Sequence, residues 1–176
     1  YGYPIFQFYP PLPHYLAEAL HLLGLAPINA LNGAFVVFAC LGALGMYAFA
    51  RDVFGRMAGI GTAMLYAFAP YTLYNAFERA ALAEFAALAC VPWALWALRK
   101  TQDNANPRLI GLAALTVAGI VLSHNITAML SVPVLVAYAF VRAIVLRRPS
   151  RNTALAIALG LALTTFFWLP AFVERD

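Results

Sequence analysis

The chain has 176 residues, 64% of them hydrophobic, and its 11 basic and 7 acidic side chains make up only 10%. Soluble domains carry about 25% charged residues, so too little polar surface exists here to coat a water-soluble fold. The composition excludes a soluble enzyme, a nucleic-acid-binding domain and a disulfide-stapled secreted scaffold. Cys40 and Cys90 both lie inside apolar runs and read as packing residues.

No signal peptide is expected from the first residues, because no basic segment precedes an apolar core in them. With Tyr1 in place of an initiator methionine, the chain is expected to be a segment of a longer polytopic protein. Tyr1 to Pro13 holds five aromatics and four prolines without a charge, which predicts an extended segment hugging the membrane. His14 to Leu25 is predicted as a short amphipathic helix lying at the interface. Residues 1–26 thus form an external unit ahead of a helical membrane domain over 27–176.

Long apolar runs then predict six transmembrane helices, near 27–50, 57–77, 79–98, 108–123, 126–146 and 153–173. Continuous runs rich in Ala and Leu exclude a β-barrel, whose strands alternate. The fourth span is short, since 16 residues reach only about 24 Å. The fold class is therefore all-α and integral to the membrane. Small residues at Gly55, Gly59, Ala63 and Ala67 predict close helix packing along the second span. Pro70, Pro92, Pro133 and Pro170 predict kinks, and Trp93, Trp96 and Trp168 are expected in interfacial belts.

Basic residues fix the expected orientation. Arg51, Arg56, Arg99, Lys100, Arg108, Arg142, Arg147, Arg148 and Arg151 all fall on one face if six helices alternate; only Arg79 and Arg175 fall on the other. The positive-inside rule makes the first face cytoplasmic. The expected location is a multi-pass cell-membrane protein with its amino-terminal segment outside.

The outer face holds the polar groups with chemical potential. Asn75, Glu78, Arg79 and Glu84 surround the turn between the second and third spans. Glu84 is expected within the outer leaflet, where a carboxylate normally faces a partner or a wet cavity, and Arg79 is the nearest cation. The plain alternative is a Glu–Arg pair that only fixes the turn. A second cluster, Ser123-His124-Asn125-Ile126-Thr127, interrupts 38 otherwise apolar residues from Leu109 to Leu146. Its imidazole suits proton transfer or, when protonated, an anionic phosphate; a self-satisfied polar turn is the alternative. His14, Glu18 and His21 share one face of the interfacial helix, where a solvated polar face explains them better than a metal.

Four segments resemble a group of bacterial membrane proteins known as 6-pyruvoyl-tetrahydropterin synthase-related. They are the opening Tyr1-Gly-Tyr-Pro-Ile-Phe-Gln-Phe-Tyr-Pro-Pro-Leu-Pro-His-Tyr-Leu, Glu78-Arg-Ala-Ala-Leu-Ala-Glu84, Leu122-Ser-His-Asn-Ile-Thr-Ala128 and Phe167-Trp-Leu-Pro-Ala171. The group is similar in layout to the GT-C glycosyltransferases, which take sugars from polyprenyl phosphates at the outer face. That resemblance implies a catalytic acid in the first external loop, a position expected upstream of this segment.

Under that reading, Tyr3, Phe8 and Tyr9 would line a lipid or acceptor groove. Arg79, Glu78 and Asn125 would bind substrate, and Glu84 and His124 would be catalytic. The expected partners are membrane lipid and a polyprenyl-phosphate sugar donor, with no nucleic acid. No metal ligand is assigned, and a divalent ion is open for the full-length protein. The competing readings are a transporter or flippase subunit and a purely structural membrane module.

Overall fold

The computed structural model describes residues 9–104, 106–147 and 151–173. Among them lie nine helices and no strand: α1 (Leu12–Leu22), α2 (Pro27–Phe54), α3 (Arg56–Ala67), α4 (Pro70–Phe77), α5 (Leu82–Asp103), α6 (Pro107–Val121), α7 (Asn125–Leu146), α8 (Arg151–Leu163) and α9 (Thr165–Val173). The chain is an all-α membrane protein. Three helices, α2, α5 and α7, are long and apolar enough to cross a bilayer, while α6 and α8 are shorter apolar helices.

The helix boundaries follow local chemistry. Proline occupies the start of α2, α4 and α6, where a missing amide leaves no bond unmade. Gly55 ends α2 at φ +90, a conformation that costs glycine little. Two of the expected spans are broken. The run 57–77 is two helices, because the fixed φ and missing amide of Pro70 restart the chain after Phe68 and Ala69. The run 153–173 is likewise divided at Thr164 into α8 and α9.

The carbonyls freed at these breaks find new donors. The Tyr66 carbonyl accepts the Thr72 hydroxyl at 3.0 Å, and the Leu161 carbonyl accepts the Trp168 indole N–H at 3.0 Å. In a bilayer interior no water can take that part, so such side-chain bonds are required.

α5 is the central element, in contact with α2, α6, α7 and α8. Its small residues Ala87, Ala94 and Ala97 are fully buried against Ala113, Val117 and Ile120 of α6, Leu135 of α7 and Ala156 of α8. Small side chains let backbones approach closely, which replaces the hydrophobic drive that lipid cannot supply. Of the stripe expected to pack α3, only Gly59 behaves so among the two glycines: a Cβ there would stand 3.1 Å from the Arg51 amide nitrogen. Gly55 has open space around it and serves as the hinge between α2 and α3. Trp93 and Trp96 fasten α5 to α2. Both indoles donate to α2, Trp93 to the Leu41 carbonyl at 2.8 Å and Trp96 to Asp52 Oδ2 at 2.9 Å.

The carboxyl ends of α2, α5 and α7 gather at one end of the bundle. Lys100 Nζ lies 2.5 Å from Asp52 Oδ2, and Arg142 pairs with Asp103. At the opposite end α1 packs Ala17 against Ala34 and Phe38 of α2 and Leu82 and Phe85 of α5.

Candidate functional site

The site sits where α4 turns into α5. Tyr71, Asn75 and Arg79 follow one another at intervals of four, so they lie along one face of α4 and its exit. α4 stops at Phe77, and the amides of Glu78 and Arg79 both reach the Tyr74 carbonyl at 3.0 Å. Ala80 then takes a left-handed conformation at φ 47, and the Ala81 amide bonds the Asn75 carbonyl at 3.0 Å. This tight turn delivers Glu84 in the first turn of α5, where the helix dipole favours a negative charge.

Four side chains converge there. The Tyr71 hydroxyl donates to Glu84 Oε1. Arg79 Nη1 donates to Glu84 Oε2 at 2.7 Å and to Asn75 Oδ1 at 2.9 Å. Both carboxylate oxygens are thus engaged, on a side chain only 11% exposed, whereas the Arg79 side chain is 43% exposed. The hydrogen bond to Glu84, reinforced by its charge, raises the Arg79 pKa further above the ordinary arginine value. Asn75 is fully buried, and its Nδ2 has no hydrogen-bond partner among the described residues. The result is a fixed guanidinium whose bonds to described side chains all run through one nitrogen. Its remaining N–H groups suit an anion with several oxygens.

The expected pairing of Arg79 with Glu84 is therefore present. Glu78, expected beside them, is exposed at the end of α4, and no ion pair is seen for it among the described residues. Tyr71 is the member of the cluster that the sequence did not single out. Its spacing of four from Asn75, and of eight from Arg79, was the available signal.

His124 forms a different structure. It caps α7 in extended conformation, with Nδ1 accepting the Thr127 amide at 3.3 Å and lying 2.9 Å from the Thr127 hydroxyl. A backbone amide can only donate, so Nδ1 is the acceptor and the ring proton resides on Nε2. Asn125 is exposed in the first turn of α7. α1 lies against both turns: the Leu12 amide bonds the Leu122 carbonyl at 3.0 Å, and its apolar face packs on the start of α5.

The remaining candidates spread out. Tyr9 is 49% exposed, with its ring 5.3 Å from that of His14, while Tyr3 and Phe8 lie outside the described residues. His21 bonds the Leu25 carbonyl through Nδ1 at 2.8 Å and closes the end of α1. Among the described residues no group of three or more His, Cys, Asp or Glu converges in a metal-binding arrangement.

No curated protein and no solved structure shows significant similarity to the chain. A family model does match, over residues 6–176, and its description is "6-pyruvoyl-tetrahydropterin synthase related domain; membrane protein". Covering nearly the whole sequence, this match establishes that the chain belongs to the 6-pyruvoyl-tetrahydropterin synthase-related family of membrane proteins.

Proposed function

We propose that the chain forms part of a GT-C-like glycosyltransferase that takes a sugar from a polyprenyl phosphate at the outer membrane face. The observation that carries this reading is the Arg79 guanidinium, held by Glu84 and Asn75 through one nitrogen and otherwise facing outward. Phosphate is an anion whose several oxygens match such a fork.

In the reaction, an acceptor hydroxyl attacks the anomeric carbon. The sugar–phosphate C–O bond breaks, and its electron pair leaves on the polyprenyl phosphate. Arg79 stabilises that leaving anion. Glu84, with both oxygens engaged by Tyr71 and Arg79, holds the arginine in place and is a positioning residue. His124, with its proton on Nε2, donates to a phosphate or sugar oxygen. The acceptor proton passes to the acid that the GT-C resemblance places in the first external loop.

The basic end, with Arg51, Arg99, Lys100 and Arg142, faces the cytoplasm of a multi-pass cell-membrane protein, and the amino-terminal segment faces outside. The test is lipid-linked sugar turnover by full-length protein in vesicles. Arg79→Ala and His124→Ala should each lower turnover without blocking insertion. Wild-type-like turnover in both would sink the proposal, and headgroup translocation without sugar transfer would replace it with a flippase.

A further inference from the structure

At the basic end of the bundle, a cavity of about 390 Å³ opens between the carboxyl ends of α2, α5 and α7. Its walls are apolar, built from Phe49, Val53 and Phe54 on α2 and Val141, Val145 and Leu146 on α7. Arg99 and Arg142 stand among them. Glu84 and Arg99 are fifteen residues apart on α5, or about 22 Å, so this groove is remote from the Arg79 site.

The two arginines differ in commitment. Arg142 pairs with Asp103 through Nη2, with a side chain only 12% exposed, and its Nε is buried without a hydrogen-bond partner among the described residues. A buried donor on a cation lacking an acceptor is costly, and an oxygen of an anion entering the groove would satisfy it. Among the described residues Arg99 reaches the Asp52 backbone carbonyl, at 3.5 Å, and most of its donors have no partner there, which suits a ligand. An apolar wall continuous with two guanidiniums matches an amphiphile with an anionic head and a hydrocarbon chain. Protein-derived occupants fit less well, since a peptide would bring backbone polar groups against Val141, Val145 and Leu146.

We propose that this groove is a binding site for an anionic phospholipid of the leaflet at the basic end. The phosphate lies between Arg99 and Arg142, and an acyl chain runs along Phe49, Val53 and Val145. Basic pockets between membrane helices hold anionic headgroups through these same forces. The lipid would clamp the ends of α2, α5 and α7 together, and so would stabilise the bundle without taking part in sugar transfer.

The test uses full-length protein in a neutral detergent, titrated separately with phosphatidylglycerol, phosphatidylcholine and inorganic phosphate, with the melting temperature as readout. Phosphatidylglycerol should raise it saturably, and the other two should not. Arg99→Gln, which leaves the Arg142–Asp103 pair intact, should weaken the half-saturation point about tenfold or more, as should Arg142→Gln. Val145→Trp, which fills the groove without changing charge, should abolish the response. Arg147→Gln, exposed at the same end, should preserve it. Equal stabilisation by phosphatidylcholine would reduce the site to tail packing, and a response to inorganic phosphate would make it a free-anion site. Equal loss in Arg147→Gln would reduce it to diffuse surface charge. Each of these results, or no response to phosphatidylglycerol in the wild type, overturns the proposal.

Discussion

Tyr66 on α3 donates its hydroxyl to the carbonyl of Leu88 on α5, 2.7 Å away. Leu88 is four residues before Pro92, so its carbonyl is the one that the proline's missing amide leaves unpaired. One side chain thereby closes the hydrogen-bond gap in the central helix and locks α3 onto it. The lock also positions the chain for the Pro70 restart that carries Tyr71 and Asn75 over Glu84.

Tyr66→Phe should lower stability by about 1 kcal/mol, the usual magnitude for a hydrogen bond within a membrane bundle. Pro92→Ala restores an amide able to bond Leu88, so in that background Tyr66→Phe should cost measurably less. A double-mutant cycle by denaturation in detergent reads the coupling, and additive losses would show that the hydroxyl is not serving the proline gap.

The glycines should divide by their surroundings. At Gly160 a Cβ would stand 2.7 Å from the Ala114 carbonyl oxygen, a backbone atom that cannot move aside. Gly160→Ala should therefore destabilise the bundle by about 1–3 kcal/mol. Gly61 lies on α3 with nothing within 4 Å, so Gly61→Ala should gain up to about 1 kcal/mol from helix propensity alone. Thermal unfolding followed by circular dichroism separates the two, and losses of equal size would contradict this account of packing.

Ala80 at φ 47 holds a conformation unfavourable to any residue with a Cβ. Ala80→Gly should raise stability by about 1 kcal/mol while keeping the Arg79–Glu84 pair. A fall in melting temperature would show that the turn depends on the alanine side chain.

Much of this was legible in the amino acids, because a bilayer admits few solutions. Apolar runs located α2, α5 and α7, and the pairing of Arg79 with Glu84 followed from the cost of an isolated buried carboxylate. Other features depend on contacts that hydropathy does not encode. The run 57–77 reads as one span because Phe68 and Ala69 are as apolar as their neighbours, although Pro70 marked the break. α5 begins at Leu82 and continues to Asp103, beyond the expected end at 98, because Lys100 finds Asp52 on α2. Hydropathy could place Trp93 and Trp96 near a span end but could not show that α2 supplies their acceptors. Tyr71 became a member of the site only once the turn at Ala80 folded Glu84 back toward α4.

The central claim is that Arg79 receives a lipid-linked phosphate. Its most direct test is the binding of polyprenyl phosphate, against the uncharged polyprenol, to full-length wild-type protein and to Arg79→Ala. The wild type should prefer the phosphate, and Arg79→Ala should lose about one to two orders of magnitude of affinity for it while binding the alcohol as before. Equal preference for the phosphate in both proteins would contradict the claim and leave the Arg79–Glu84 pair as a fastening of the α4–α5 turn.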